Sequence, residues 1–154
     1  MNVLKTKTLT LFSIFLLLIT ISILIYLKIK PKNQNPKLTI NNTTISVEIK
    51  NTPETRKQGL SNREKLPENQ GVLFIFDQPA QHSFWMKNML FNLDFIWIKN
   101  NKVVDITENV PAPKNNQPPV SLKPKSPVNK VLEVNAGFAN QHNININDPV
   151  KLIN

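Results

Sequence analysis

Residues 8–27 form a run of twenty without a charged side chain, and this run limits what the chain can become more than any other feature. A helix of that length rises about 30 Å, which matches the hydrocarbon core of a bilayer. A cleaved signal peptide would have a shorter apolar stretch that ends in small residues. Here the run ends at Tyr26 and Leu27 and meets Lys28. The sequence therefore predicts an uncleaved, single-pass transmembrane helix.

Lysines on both sides of this helix leave its orientation open. Lys5 and Lys7 precede it, whereas Lys28, Lys30 and Lys32 follow it. Counted literally, the positive-inside rule slightly favours a cytosolic C-terminal domain. A single apolar segment behind a short basic tail is, however, the usual layout of an export anchor. We therefore predict a protein of the cell membrane whose domain is extracytoplasmic.

The predicted anchor divides the chain into four parts. Residues 1–7 are a short basic tail, 8–27 the anchor, 28–37 a linker and 38–154 a single domain. Residues 1–32 carry five lysines and no acid, so the formal charge of +9 falls to +4 for the remainder. The basic residues of the domain are scattered along the sequence, which argues against a nucleic-acid partner.

The residue content excludes several kinds of site. The chain has no cysteine, which rules out disulfides, thiolate metal ligands and cysteine nucleophiles. His82 and His142 lack the spacing of metal ligands. His82 and Ser83 are adjacent on a predicted strand, so they point to opposite faces and cannot form a nucleophile–base pair. We expect no metal site and no cofactor.

Hydrophobic alternation predicts mostly strands in the domain. They are expected as a hairpin over 37–50 and as single strands at 71–76, 83–86, 93–98, 102–108, 130–134 and 148–153. The predicted fold is mostly β (α+β): a small pseudo-barrel or rolled antiparallel sheet with two short helices, preceded by the transmembrane helix. Residues 110–129 hold six of the twelve prolines and are predicted as one long irregular loop, either functional or a plain surface crossover.

End signals place the two short helices. Thr52 can cap a helix that begins at Pro53. Asn135 can cap a second helix that runs to residue 141, with Asn143 as its left-handed terminator. Residues 61–64 have the spacing of a capping box and predict another brief helical turn.

Five short motifs occur in order along the domain. They are residues 56–60 (RKQGL), 71–74 (GVLF), 84–88 (FWMKN), 93–96 (LDFI) and 131–138 (VLEVNAGF). Together they closely resemble the bacterial and archaeal family named domain of unknown function 192, also described as an uncharacterised conserved membrane protein family. The resemblance implies a compact, mostly β domain of pseudo-barrel character, often behind an N-terminal signal or anchor. It supplies no agreed reaction or ligand.

A polar cluster is predicted where one strand ends and the next begins. Trp85 offers a stacking face, Lys87 a donor to an anion or carbonyl, and Asn88 a bidentate amide. Asp94 follows at the start of the next predicted strand. These four side chains either line a pocket or form a buried network in which Lys87 and Asp94 pair across the turn. The sequence leaves both interpretations open.

Glu133 is a second candidate because it interrupts an apolar strand. By the two-residue period it faces away from Leu132 and Val134, on the side of Asn135. If that side lines the barrel interior or a cleft, burial raises the pKa of the carboxyl and makes it a candidate base; otherwise the side is solvated. The resemblance places Glu133 in a motif, which favours the cleft. Asp94 and Glu133 are also candidates for an acid/base pair of the glycosidase type.

Arg56 and Arg63 complete the set of candidate ligand-binding residues. They lie on or beside the short helical turns. Each could bind an anionic group bidentately, although solvated surface arginines are the commoner explanation.

Three functions are compatible with this sequence. We prefer a membrane-anchored extracytoplasmic domain that binds a small polar ligand or an envelope component through the cluster around Trp85 and Glu133, including Asn135. The first alternative is an envelope hydrolase or transferase that uses Asp94 or Glu133 with Lys87, although no recognised catalytic motif is present. The second is a docking module for a protein partner, in which the polar cluster is purely structural.

Overall fold

The computed structural model describes residues 2–29, 35–114 and 117–153. The chain divides into two compact units, Met1–Gln34 and Asn35–Asn154. The described part of the first unit contains one helix, and every strand that the structure describes belongs to the second.

Helix α1 spans Asn2–Ile29. Between residues 12 and 26 every side chain is exposed. Within the described residues, no helix combines the length and the hydropathy needed to cross a membrane. The transmembrane helix predicted at 8–27 is therefore not confirmed. Half of the linker predicted at 28–37, residues 30–34, lies outside the described residues.

The described part of the second unit contains nine strands and two short helices. The strands are β1 Lys37–Ile40, β2 Thr43–Lys50, β3 Gln70–Ala80, β4 Phe84–Trp85, β5 Leu93–Lys99, β6 Lys102–Val110, β7 Ser121–Leu122, β8 Val128–Asn135 and β9 Val150–Ile153. The helices are α2 Pro53–Gln58 and α3 Phe138–Gln141. The predicted mostly β fold with few short helices is confirmed.

Seven strands form one sheet in the order β6-β5-β8-β3-β2-β1-β9, and β4 pairs with β7 in a separate ribbon. All neighbours in the large sheet are antiparallel except β2 and β3, which are parallel. Helix α2 lies between these two strands in sequence, because parallel neighbours need a crossover connection. The prediction of an antiparallel sheet is wrong at this one pair.

The large sheet curls until its two outer strands meet at one end. Lys102, which begins β6, forms a bridge with Pro149, which precedes β9. The N–H of Val103 donates to the carbonyl of Asp148 at 3.0 Å, and the N–H of Asn147 donates to the carbonyl of Val103 at 2.8 Å. These bonds give the sheet its half-barrel form.

Each face of the sheet carries a buried apolar cluster. The inner face carries one apolar cluster, which draws on Val103 of β6 and Val150 of β9 and therefore lies inside the curl. The outer face carries a second cluster around Phe95 and Trp97, which Leu60 and Met89 cover from the segments after α2 and after β4. Successive strand residues alternate between these two cores. A polar residue inside a strand must therefore find partners in one core or the other.

Asparagine occupies every described non-glycine position with a left-handed backbone. These residues are Asn41, Asn62, Asn88, Asn100, Asn101, Asn109, Asn143 and Asn147, with φ angles between 50° and 78°. Asparagine tolerates this region better than most residues because its short side chain can hydrogen-bond locally. The left-handed terminator predicted at Asn143 is confirmed.

Helix ends show where local signals succeed and where they fail. Thr52 caps α2 and Pro53 begins it, as predicted. Asn135 does not cap α3, because it ends β8 and Gly137 is the residue before the helix. Residues 61–64 form turns and bends rather than a helix.

Candidate functional site

A cleft of about 230 Å³ opens on the outer face of the sheet. Phe74 of β3, Glu133 of β8 and Leu93 of β5 contribute its floor. Residues 56–61, at the end of α2 and in the following turn, line one side. Residues 82–85, which lead into β4, line the other side. Sheet, helix and ribbon thus meet around this cleft.

Glu133 is the one acidic residue among the described residues that line the cleft. It is 6% exposed, and no described residue donates a hydrogen bond to it or forms an ion pair with it. Burial raises the pKa of its carboxyl to about 8, although the charge of nearby Arg63 opposes this rise. At neutral pH the carboxyl is therefore mostly protonated, and it can both donate and accept a hydrogen bond.

Glu48 is a carboxylate with partners on the same face of the sheet. Its two oxygens lie 2.6 Å from Lys50 Nζ and 2.6 Å from an Arg63 guanidinium nitrogen. Partial burial alone would raise the pKa of Glu48, but the hydrogen bonds and charges of the two cations hold it below its usual value. Arg63 is thus engaged by Glu48 and is not an ion-pair partner of Glu133.

Arg56 is held in place at the rim of the cleft. One of its terminal nitrogens donates to the carbonyl of Asn51 at 2.7 Å and to that of Ile75 at 2.9 Å. Its guanidinium carbon lies 5.0 Å from the ring centroid of Phe76, which is a cation–π geometry. The remaining guanidinium N–H groups have no described partner. Lys57 is exposed and lines the same cleft.

Aromatic rings support the other wall. Phe84 makes edge-on contacts, with centroids 5.0–6.3 Å apart, to four rings: Phe74, Phe76, Phe95 and Trp97. The His82 ring stacks on Phe76 with 3.5 Å between centroids. Contacts of this kind favour defined ring orientations, so the wall is pre-formed.

Trp85 lies next to this aromatic cluster but outside the core. It lines the cleft and is 61% exposed, whereas Trp97 is fully buried. The difference follows from strand alternation, because Phe84 turns inward and its neighbour turns outward. The exposed indole is available to stack on a bound molecule.

The sequence profile of the domain of unknown function 192 family, described as "Uncharacterized ACR", matches residues 36–152. The chain belongs to this family. The match covers the β domain and does not extend to α1. The DUF192 domain thus coincides with the compact unit that carries the cleft.

Two solved structures are similar to this DUF192 domain. One is a protein from Sinorhizobium meliloti described as a candidate transcription regulator, with a TM-score of 0.68 and 27% identity over 76% of this chain and 92% of that one. The other is a protein of unknown function from Novosphingobium aromaticivorans, with a TM-score of 0.67 and 28% identity over 75% and 83% of the two chains. A search of curated proteins gave no significant match.

Lys87 and Asn88 do not line the cleft of the DUF192 domain, although Trp85 does. Both side chains are exposed in the turn after β4. The turn is fixed through their backbones: the carbonyl of Lys87 accepts from Ser61 Oγ at 3.1 Å, and that of Asn88 accepts from the N–H of Asn62 at 2.9 Å. The polar cluster predicted from adjacency in sequence is therefore not one cluster in space.

Asp94 is fully buried on the opposite face of the sheet from Glu133. It pairs in register with Val134, the residue after Glu133, so the two carboxyls point to different cores. Its oxygens accept from the N–H of Asn109 at 2.8 Å and from that of Ala139 at 3.0 Å. These bonds tie a bulge of β6 and the start of α3 to β5. Neither the Lys87–Asp94 ion pair nor the Asp94–Glu133 acid/base pair is formed.

Asn135 also has a backbone-fixing position in the DUF192 domain. Its amide nitrogen donates to the carbonyl of Leu66 at 2.9 Å, which holds the loop before β3 against the end of β8. It lines a second depression, of about 390 Å³, together with Glu68 and Gln141 and apart from the aromatic cleft. Among the predicted site residues, the cleft therefore brings together Arg56, Trp85 and Glu133.

Sequence reasoning missed Lys57 and His82 as cleft residues. Lys57 could have been predicted from the sequence, because it lies in the same motif as Arg56 and follows it on α2. His82 reaches the cleft through its stacking on Phe76, and this depends on the bend of β3 between Ile75 and Ala80. Among the residues that the structure describes, no group of three or more histidine, aspartate or glutamate side chains could hold a metal ion.

Proposed function

We propose that this DUF192 domain binds a small ligand in the outer-face cleft, with Glu133 as its polar anchor. One observation carries the proposal: a buried carboxyl that has no hydrogen-bond partner among the described residues lines a pre-formed aromatic cleft. Small-molecule sites are usually concave, and a few convergent polar groups in them orient the ligand. A strongly perturbed pKa within it is a further mark of function.

A structural role explains Glu133 less well than it explains Asp94. Asp94 is equally buried, but both of its oxygens accept backbone hydrogen bonds that shape the fold. Glu133 makes no such bond to any described residue. The cost of burying its carboxyl is therefore not offset by a hydrogen bond within the described protein. A ligand that hydrogen-bonds to the carboxyl would supply the missing partner.

The positions of Asp94, Glu133 and Lys87 do not fit the hydrolase alternative. It needs Asp94 or Glu133 to work with Lys87, yet Asp94 faces the inner core and Lys87 lies outside the cleft. Glycosidase chemistry requires two carboxyl groups on either side of the scissile bond. The described residues that line the cleft include a single carboxyl group, that of Glu133. A binding function therefore fits the arrangement better.

The proposal includes an attachment to the cell membrane through residues 8–27, with the domain outside the cytoplasm. The support is the uncharged run in the sequence and the uniform exposure of the described apolar side chains between residues 12 and 26. The test compares the full chain with residues 33–154 in membrane and soluble fractions, followed by protease treatment of spheroplasts. Recovery of the full chain in the soluble fraction, or protection of the domain from protease, would contradict the attachment or the orientation respectively.

The binding function is tested by thermal shift on residues 35–154, which form one compact unit. The library contains sugars, nucleotides, amino acids, aromatic acids and cell-wall fragments. A ligand at about one hundred times its dissociation constant adds about 2.7 kcal/mol of stability. We expect the stabilisation to be lost in Glu133→Met and kept in the control Glu108→Gln, whose carboxylate is exposed outside the cleft.

Trp85 supplies an independent signal for the same experiment. Its indole is exposed at the cleft, whereas Trp97 is buried, so a bound ligand changes the emission of one tryptophan. We expect ligand-dependent fluorescence in the parent and none in Trp85→Phe. Ligands that stabilise the Glu133→Met variant as strongly as the parent would show that binding occurs elsewhere.

A further inference from the structure

We infer that the ligand is a small monoanion: a single aromatic ring that carries an anionic group and, at its far end, a hydroxyl or amide. The anionic group lies at Arg56 and Lys57, the ring against the aromatic wall, and the polar end at Glu133. This inference rests on the proposed binding function and specifies the chemistry of the same site.

The charges around the cleft select an anion over a cation. Arg56 and Lys57 line it, Arg63 lies close enough to Glu133 to influence its titration, and Glu133 is the sole acid of the described lining. The ring of His82 is the remaining titratable group of that lining. The described lining therefore offers two fixed positive charges and, near neutral pH, no full negative charge. An ammonium group would find repulsion at the rim and an uncharged carboxyl on the floor.

Arg56 is positioned to receive the anionic group. Its bonds to the carbonyls of Asn51 and Ile75 and its contact with the Phe76 ring fix the guanidinium plane. Those bonds occupy one terminal nitrogen, and the other N–H donors have no described partner. A fixed guanidinium fork with free donors suits a carboxylate or phosphate oxygen.

The size and walls of the cleft select one ring. A dry cavity of about 150 Å³ holds benzene, so about 230 Å³ accommodates one ring with two substituents. Phe84 and Trp85 present aromatic surface along one side, whereas His82 and Arg56 lie over the two faces of Phe76. Rings stack on or pack edge-on against such surfaces. A long sugar chain or a dinucleotide would place most of its atoms outside this space.

Glu133 determines the far end of the ligand. A mostly protonated carboxyl accepts a hydrogen bond through its carbonyl oxygen and donates one through its hydroxyl. A ligand hydroxyl or amide satisfies both roles. An apolar far end would leave the carboxyl unpaired inside the complex, which costs affinity.

The test uses three matched probes: 4-hydroxyphenylacetate, phenylacetate and tyramine. The first has all three predicted features, the second lacks the hydroxyl and the third replaces the anion by a cation. Dissociation constants are measured by NMR chemical-shift titration of residues 35–154. We expect phenylacetate to bind about 3- to 10-fold more weakly than 4-hydroxyphenylacetate, from the loss of one hydrogen bond, and tyramine to bind more weakly than both.

Variants link each feature to a residue. Lys57→Gln should weaken 4-hydroxyphenylacetate several-fold, whereas Lys151→Gln, an exposed lysine on β9, should leave it unchanged. Glu133→Met should abolish the preference for the hydroxyl, and Glu133→Gln, which keeps a donor and an acceptor, should restore part of it. NMR spectra of each variant verify that it is folded.

Two kinds of failure are distinguishable. Equal or tighter binding of tyramine, or no difference between the two acids, overturns the ligand class while shifts of cleft residues still support the binding function. Uncharged phenol serves as a class-independent probe of the cleft. If neither phenol nor any of the three probes shifts the cleft residues, the binding function fails together with the ligand class.

Discussion

Glu48 and Glu133 lie on either side of Val72 in one row of the sheet, because each is in register with that residue. They therefore project from the same face. Glu48 accepts hydrogen bonds from Lys50 and Arg63, and its pKa is lowered. Glu133 has no described partner, and its pKa is raised to about 8. The pKa values of two identical side chains in one row are thus shifted in opposite directions.

Replacing Glu133 should stabilise the domain above acid pH. The unfolded carboxyl loses its proton near its ordinary pKa of 4.5, whereas the folded one keeps it until about pH 8. The folded state therefore binds more protons across this window, and the contribution of Glu133 to stability falls as pH rises through it. Relative to the parent, Glu133→Gln should be near neutral at pH 4.5 and more stable by about 3 kcal/mol at pH 7.

Urea unfolding of both proteins from pH 4.5 to 8.5 measures this difference. Glu108→Gln is the control, since Glu108 is exposed and the difference should stay near zero throughout. A Glu133→Gln variant that is less stable than the parent at pH 8 would mean that the carboxyl has a structural partner.

Removing Glu48 should cost more than removing Arg63. Glu48→Gln leaves the Lys50 ammonium, whose side chain is 5% exposed, without its anion. An unpaired buried charge is expensive, so we expect a loss of about 2–3 kcal/mol. Arg63 is 35% exposed in its side chain, and Arg63→Gln should cost less than about 1 kcal/mol.

Arg63→Gln has a second expected effect that involves a different carboxyl. The charge of Arg63 lowers the pKa of Glu133, so its removal should raise that pKa further. Carbon-13 NMR of the labelled carboxyl measures it directly. An unchanged titration of Glu133 in a folded variant would show that Arg63 does not act on the cleft.

Truncating Asp94 should severely destabilise the fold. Asp94→Ala leaves the buried N–H of Ala139 and the partly buried N–H of Asn109 without their acceptor. The buried donor alone costs about 1–3 kcal/mol, and the partly buried donor adds to this cost. Asp77 is exposed at the end of β3, and Asp77→Ala should change stability by less than about 0.5 kcal/mol. Similar unfolding midpoints in urea for the two variants would contradict the assigned role.

Gly71 and Gly137 should respond differently to a side chain. A Cβ at Gly71 would lie 2.8 Å from Leu132 Cδ1 and 3.0 Å from the carbonyl oxygen of Glu133, so Gly71→Ala should cost about 1–3 kcal/mol through overpacking. A Cβ at Gly137 meets nothing within 4 Å, but φ is +87°. Gly137→Ala should therefore lose stability through backbone strain alone, and Gly137→Asn should recover part of it. Recovery in Gly71→Asn as well would exclude the overpacking mechanism.

The sequence determined most strands but could not assign the face of Glu133. Strand alternation placed it opposite Leu132 and Val134, which is correct. Val131, on the same face as Glu133, is nevertheless as fully buried as Leu132. When both faces of a sheet are covered, hydrophobic pattern does not distinguish the inside of a barrel from a cleft on its outside.

Other differences between the sequence-based predictions and the structure also have physical reasons. The parallel pairing of β2 and β3 could have been predicted, because a helix between two strands is the pattern of a crossover connection. Strand β7 has two residues, which is too short to show a period. Lys87 follows Trp85 in sequence, but the turn directs it away from the cleft.

The left-handed asparagines make the fold susceptible to slow chemical change. Asparagine is a thermolabile residue, and its amide can hydrolyse to a carboxylate during prolonged heating. Turns such as those at Asn100 and Asn143 depend on that side chain in a demanding backbone conformation. We expect a heated sample to accumulate acidic species on isoelectric focusing and then to lose its ability to refold. Hydrolysis of the turn asparagines, and not unfolding of the core, would then limit how long the domain stays functional at high temperature.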